Sequence, residues 1–437
     1  MESLESIYQK YLQYPNIVTD SRLAVPDCIY WGIKGERFDG SSFCKDALDK
    51  GARYCVIDNF DYYHDSEQII LIENSLKTLQ DLAQHHRSLL TIPVLAITGS
   101  NGKTTTKELT QLVLSQGLNT FSTPGNLNNH IGLPLSLLKV STNHQIAILE
   151  LGANHQQEHQ FLLEICQPSH YVITNIGLDH LEGFGGFEGV IKATKEVTDD
   201  LIHRNGILFN NLDDQEIQNL VKKYSNTVNY SLEGANGTDL IECMDVNLYP
   251  FLTVKLKFQA EEVEIYSHLF GQFNAINIIL ASTIGVYFGI SLSECKRAIE
   301  SYIPTNNRSQ RIKIDTNEYI LDAYNANPSS MSLGIVDFQN YPHPNKFLIL
   351  GDMFELGKAS ENEHKKIIEL IDTNQYNMVI FVGQIFKNCL NSGLLANQFV
   401  FDSTLDSKEF LKEQNIKNGL FYLKGSRGMK LETLLNT

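Results

Sequence analysis

A glycine-bounded turn carrying one lysine and three threonines is the part of this chain best suited to hold an anion. It reads Gly99-Ser100-Asn101-Gly102-Lys103-Thr104-Thr105-Thr106 and follows the apolar run Val94–Thr98. Leu109, Leu112 and Val113 then recur at helical spacing. Strand, glycine turn and Lys-Thr-led helix, in that order, predict a phosphate-binding loop. Turn N–H groups and the positive end of the helix converge on the anion, Lys103 adds a point charge, and the Thr104 hydroxyl suits Mg²⁺. Only Ser100 and Asn101 separate the two glycines, where the common phosphate loop has four residues.

Further chemistry-bearing residues fall where other strands are expected to end. Glu150 closes the apolar run 145–151 and is a natural oxygen ligand for Mg²⁺. His180 follows the run 170–174 through Asn175-Ile176-Gly177, and Asp179 beside it competes for the same role. In the helical segment 188–204, Val190, Ile191, Thr194, Val197, Leu201 and Ile202 form one stripe. Lys195 lies about 90° from the centre of that stripe and Lys192 about 150° away. Lys195 is thus expected to reach inward; the bland alternative is a solvated lysine lying over its own helix. Three polar strings also follow turns or strands: 126–130, 322–328 and 424–428. Ligand positioning and loop capping explain their Asn and Gly residues equally well.

Alternation of β and α segments predicts an α/β protein with largely parallel sheets and ligands at the carboxyl ends of the strands. At 437 residues the chain exceeds one ordinary core. Boundaries are expected near Pro93 and after Pro304, giving domains 1–90, 91–304 and 305–437, with an acidic β-rich insertion at about 225–266. Strands are expected at 28–33, 54–57, 69–72, 94–98, 145–151 and 170–174, then at 319–322, 346–350, 378–382 and 421–424. The formal charge of −16 argues against nucleic acid or anionic membrane as partner. No apolar run reaches the ~18 residues of a membrane span. Seven dispersed cysteines and an acidic start without a signal-peptide pattern lead to the expectation of a cytoplasmic protein with reduced thiols.

The short phosphate loop resembles that of the Mur ligases and folylpolyglutamate synthetases, and the whole set of strings resembles the Mur ligases over essentially the entire chain. Thr19-Asp20-Ser21-Arg22, Gly35 and Asp39-Gly40 look like that family's UDP-sugar-binding domain. The stretches 98–105, 125–134, 150–154, 175–181, 193–196, 307–308, 322–331, 350–357 and 424–429 match in order. Tyr324-Asn325-Ala326-Asn327-Pro328-Ser329 and the string from Gly351-Asp352-Met353 to Glu355-Leu356-Gly357 point to the branch that adds D-alanyl-D-alanine. The Asp-Asn-Pro-Arg signature of the branch that adds the third amino acid is absent.

The resemblance implies three domains: an α/β UDP-binding domain, a central phosphate-loop ATPase-like domain and a C-terminal Rossmann-like domain. It implies an ATP-dependent ligase acting on a UDP-N-acetylmuramoyl-tripeptide and D-alanyl-D-alanine through an acyl phosphate, as a monomer. Gly99, Ser100, Asn101, Gly102, Lys103, Thr104 and Thr105 would then hold ATP with Asn277 at adenine, Arg308 at the phosphates, Asp322 at the ribose and Asn325 nearby. One Mg²⁺ would sit on Thr104 and Glu150, and a second on His180 and a carbamylated Lys195. Ser21, Arg22 and Gly40 would meet the UDP-sugar. Phe273 stands where many relatives have His, and Gln157-Glu158-His159 replaces a commoner Gly-Glu-Ile. A folylpolyglutamate synthetase and a non-catalytic nucleotide-binding protein are the competing readings. Lys103→Ala is expected to keep the fold and lose about 10²-fold or more in turnover; a folded variant retaining a third of the parent rate would refute the phosphate-loop assignment.

Overall fold

The computed structural model describes residues 2–64, 66–233, 240–390 and 393–435. Residues 234–239, inside the expected insertion, lie outside the described residues. Contacts group the chain into two compact units. One comprises Met1–Ala96, Leu118–Ala153 and Glu158–His170, the other Ile97–Gly117, Asn154–Gln157 and Tyr171–Thr437.

The first unit begins with a four-stranded parallel sheet in the order Ile17–Val18, Ile29–Trp31, Tyr54–Ile57, Ile69–Leu71. Asp20 and Asn59, just past strands Ile17–Val18 and Tyr54–Ile57, each accept a backbone N–H two residues on and start a tight 3-10 turn, as Asp39 does further along the chain. Cys28, Tyr30, Cys44, Ala47, Cys55 and Ile57 are buried together beneath the sheet. Helix Ser75–Leu89, capped by Asn74, buries Leu79, Leu82, Ala83 and His86. The His86 ring accepts from Tyr8 Oη at 3.0 Å and donates to the Val140 carbonyl at 2.7 Å, and burial pushes its pKa down. Strand Thr120–Ser122 pairs in parallel with Ile146–Glu150, whose five residues are all buried.

The second unit contains helix Lys103–Leu114, packed against the largely buried helix Phe273–Tyr287. Strands Ile207–Asn211 and Thr227–Tyr230 pair in parallel. Glu242–Asn247, Thr253–Phe258 and Glu261–Tyr266 form an antiparallel sheet, as the β-rich insertion requires. A six-stranded sheet follows in the order Gln310–Ile314, Asn317–Asp322, Leu420–Lys424, Lys346–Gly351, Met378–Val382, Gln398–Phe401. All its pairs are parallel except the first hairpin.

Strands 54–57, 94–98 and 378–382 have the bounds expected, while 28–33 and 145–151 are shorter at both ends. Gln310–Ile314 and Gln398–Phe401 were not expected, because edge strands carry polar residues that blur the apolar run.

Helix Pro328–Gln339 presents Asp337 to the start of Phe273–Tyr287, where it accepts the Gln272 N–H at 2.8 Å. Desolvation pushes this carboxyl up to about 6, the hydrogen bond opposing it. Between pH ~4 and ~6 the folded state therefore binds more protons than the unfolded one, and stability falls as pH rises. Asp337→Asn keeps an acceptor for Gln272. It is expected to stabilise the protein by about 1–2 kcal/mol at pH 8 and not at pH 4, read from denaturant unfolding at the two pH values.

Candidate active site

The turn Gly99–Gly102 is fastened to a neighbouring strand end in the second unit. Thr174 N–H donates to the Thr98 carbonyl at 2.9 Å, so the two strands finish side by side. The Asn101 carbonyl then accepts from Thr174 Oγ1 at 2.6 Å and Asn175 Nδ2 at 3.0 Å. Asn175 also takes the N–H of Ser100 on its backbone oxygen and that of Asn101 on its side chain, both at 3.0 Å. Gly99 and Gly102 have φ of 123° and 82°, where L side chains are rare. A Cβ on Gly99 would run into Thr174, and one on Gly102 would lie 2.8 Å from Asn277 Oδ1. No side chain caps helix Lys103–Leu114, whose first-turn N–H groups open toward the turn.

Lys103 Nζ donates to the carbonyls of Gly99 and Ser100 and lies 3.9 Å from Asp179 Oδ2. The same Asp179 oxygen is 3.6 Å from His180 Nε2, while Oδ1 accepts from Asn327 Nδ2 at 3.1 Å. His180 Nδ1 meets Glu355 at 2.5 Å, and the Glu355 carbonyl accepts the Glu182 N–H at 3.0 Å. Both partners sit in the left-handed region, His180 at φ 47° and Glu355 at φ 62°. Burial lowers the His180 pKa, but Glu355 and Asp179 outweigh it and the net shift is upward. The hydrogen bond from His180 holds the Glu355 carboxyl below its usual range.

The sequence-derived candidates divide into those that meet and those engaged elsewhere. Lys103, His180 and Asp179 come together. Asn277 is buried behind Gly102, accepting from Thr106 Oγ1 at 3.2 Å and donating to Asn274 at 3.0 Å. Asp322 Oδ2 binds Lys424 at 2.5 Å and Tyr422 at 3.2 Å, and its Oδ1 takes the Ser309 N–H at 3.3 Å. Arg308 lies over the Tyr324 ring at 3.7 Å, with Arg427 at 4.9 Å from the same ring. Asn325 is exposed.

Lys195 departs from the expectation that it reaches inward. Its side chain is 56% exposed and binds both oxygens of Asp199 at 2.6 Å. The reason lies in the helix: Ile202 is exposed, whereas Ala193 and Thr198 are buried. The buried stripe is therefore rotated, and Lys195 sits about 130° from its centre. Residues that the motif reading left out are Asn175, Glu355 and Asn327. Glu355 and Asn327 stand inside strings already noted, and Asn175 directly follows a strand end; nothing local distinguishes them from loop caps.

In the first unit, Glu150 is buried, accepts from Asn128 Nδ2 at 2.9 Å, and donates its own N–H to Thr123 Oγ1 at 3.0 Å. Asn128 belongs to the 126–130 string. Ser21 is buried and its carbonyl accepts from Lys50 Nζ at 3.0 Å. Arg22 is exposed and paired with Asp20 at 2.6 Å. Gly40 packs so closely on Gly32 and Ile33 that a Cβ would lie 2.5 Å from the Ile33 carbonyl oxygen.

Comparison with known proteins gives consistent matches. The Mur ligase middle domain matches residues 97–285, and the Mur ligase glutamate ligase domain matches 307–407. A UDP-N-acetylmuramoyl-tripeptide–D-alanyl-D-alanine ligase of Bacillus subtilis is 32% identical, over 96% of this chain and 92% of that protein. One of the same name from Escherichia coli is 31% identical over the same shares. The crystal structure of MurF from Acinetobacter baumannii superposes with a TM-score of 0.83 at 28% identity, covering 96% of this chain and 92% of that one. MurF ligase from Thermotoga maritima in complex with ADP gives 0.84 at 25%, covering 100% and 97%. With these matches and an α/β fold of largely parallel sheets, the chain belongs to the Mur ligase family.

Proposed function

We propose that this chain is an ATP-dependent ligase that joins D-alanyl-D-alanine to a UDP-N-acetylmuramoyl-tripeptide in peptidoglycan precursor synthesis. The observation that carries the reading is the near-full-length match to ligases of that name, at 32% identity over 96% of the chain. The reading includes a monomer working in the cytoplasm. Residues 1–90 take the UDP-sugar with Ser21, Arg22 and Gly40, 91–304 take ATP, and 305–437 complete the site.

The terminal carboxylate of the tripeptide attacks the γ-phosphorus, an O–P bond forms, the bridging P–O bond breaks, and ADP leaves. The amine of the dipeptide then attacks the acyl carbon; a C–N bond forms, the C–O bond to phosphate breaks, and the amine loses a proton. In the first step charge builds on phosphoryl oxygens. Lys103 now spends its N–H groups on the carbonyls of Gly99 and Ser100. Exchanging those acceptors for phosphoryl oxygens would free the two carbonyls, and since Asn175 holds the N–H groups of Ser100 and Asn101, the uncapped first turn of helix Lys103–Leu114 is what offers N–H groups to the phosphates. In this reading Asn277 faces adenine, Arg308 the phosphates and Asp322 the ribose, while Asn325 positions ATP or the dipeptide.

Among the described residues no three His, Cys, Asp or Glu side chains gather as a metal cage. The Thr104 hydroxyl and, in the other unit, the Glu150 carboxylate are each hard oxygen donors of the kind Mg²⁺ takes beside waters and substrate phosphates. Bound Mg²⁺ would neutralise phosphoryl charge. For a second ion, Glu355 holds Nδ1 of His180 as a carboxylate does behind a ligating imidazole, but Lys195 is solvated and bound to Asp199 and so does not complete the donor pair.

The test is ATP hydrolysis with each substrate omitted in turn. Phosphate release requiring both the UDP-tripeptide and D-alanyl-D-alanine is expected; release with neither, or with a folate and glutamate, would overturn the reading. A second outcome follows from the exposed lysine. Lys195→Ala is expected to keep at least about a third of parent turnover and to change stability by less than about 0.5 kcal/mol. ¹³C-bicarbonate labelling followed by NMR is expected to give no carbamate resonance that Lys195→Ala removes.

A further inference from the structure

Asn327 carries a buried amide whose every polar atom has a defined partner. Its Oδ1 accepts the Ser330 N–H at 2.8 Å, which caps helix Pro328–Gln339 and fixes which way the amide faces. Both protons of Nδ2 are then spent on one side, on Asn101 Oδ1 at 2.9 Å and Asp179 Oδ1 at 3.1 Å. Asn101 lies in the phosphate-loop turn. Asp179 turns its other oxygen toward Lys103 and His180. Two residues on, Ser329 Oγ accepts the Leu178 N–H at 2.9 Å and pins the same 177–180 segment.

We propose that Asn327 is a positioning residue for phosphoryl transfer. Its amide locks the side chain of Asn101 and the rotation of the Asp179 carboxylate into one arrangement, so the geometry around Lys103 depends on the segment 327–330. The proposal rests on the ligase reading. The residue type follows from the geometry. Ser or Thr at this position caps the helix equally well but cannot reach two acceptors. Asp caps it too, but presents an oxygen to two oxygens, one of them anionic. A residue needed only as a cap would tolerate Asp; one that donates twice would not.

Asn327→Asp is therefore compared with its parent in the wild-type and Asp179→Asn backgrounds, with equilibrium dialysis of ADP as the first readout. In Asp179→Asn the roles exchange: the new amide donates to the new carboxylate, and the pair keeps its net charge. The expected result is a parent-like melting temperature and ADP affinity weakened about tenfold by Asn327→Asp alone. In the Asp179→Asn background the same substitution should cost less than about threefold. Turnover by Asn327→Asp should fall at least about tenfold, with KM for the UDP-tripeptide within about twofold of the parent. ADP affinity within twofold of the parent, or the same loss in both backgrounds, would overturn the proposal. If Asn327→Asp does not fold, Asn327→Ser decides. It keeps the cap without a charge, and unchanged ADP affinity together with unchanged turnover would overturn the proposal. Should the parent show no activity with UDP-tripeptide and dipeptide, the ligase reading fails. The dialysis then still decides between a donor and a cap.

Discussion

The carbonyl oxygen of Asn101, held by Thr174 and Asn175, is the constraint from which the rest of the site follows. A turn with only two residues between its glycines is too short to support itself. It leans on the neighbouring strand end, which supplies two side-chain donors and two backbone or side-chain acceptors within a few residues. That support forces the backbone of Gly99 against Thr174 and of Gly102 against Asn277, where a Cβ has no room. Glycine is demanded by close approach as much as by φ. It also orients helix Lys103–Leu114 with an uncapped N-terminus, leaving its dipole and first N–H groups for an anion.

Charge management follows from the same scaffold. The chain carries a net charge of −16, so a cation beside the Gly99–Gly102 turn stands out locally. Lys103 is held there by the carbonyl dipoles of Gly99 and Ser100, with Asp179 at 3.9 Å and no tight ion pair. At Lys424 a buried charge is matched directly. Lys424 and Asp322 form a pair with almost no exposure on the lysine, backed by Tyr422 and the Ser309 N–H. Removing one member of such a pair would cost more than the pair contributes, because the other charge would be left buried. This pair joins two adjacent strands at their carboxyl ends, beside the ring of Tyr324 on which Arg308 lies.

Local pattern made much of the architecture readable. Apolar runs followed by glycine or aspartate located the strands 94–98, 54–57 and 378–382 at their observed bounds. Spacing of apolar residues gave the long helix that ends at Arg204. The same counting misjudged the inward face of that helix. Periodicity sees which residues are apolar, not which of them find a partner: Ile202 remains in solvent, and Ala193 takes a place in the buried stripe. The edge strand Gln310–Ile314 was invisible for a related reason, since its order comes from a hairpin partner and not from its own composition.

Residue types alone specify the Gly-Ser-Asn-Gly-Lys-Thr turn, its strand and helix, and the ordered strings that mark the chain as a Mur ligase. Those features are local, set within a few positions of one another. Which polar groups meet is a matter of packing across the fold. Glu355 reached His180, Asp322 was claimed by Lys424, and Lys195 turned to Asp199. Asn101 and Asn327, 226 positions apart, share a hydrogen bond that no local pattern encodes. A hydrogen bond depends on a separation of about 3 Å and on direction, and across such a distance along the chain both are fixed by the packing of the fold.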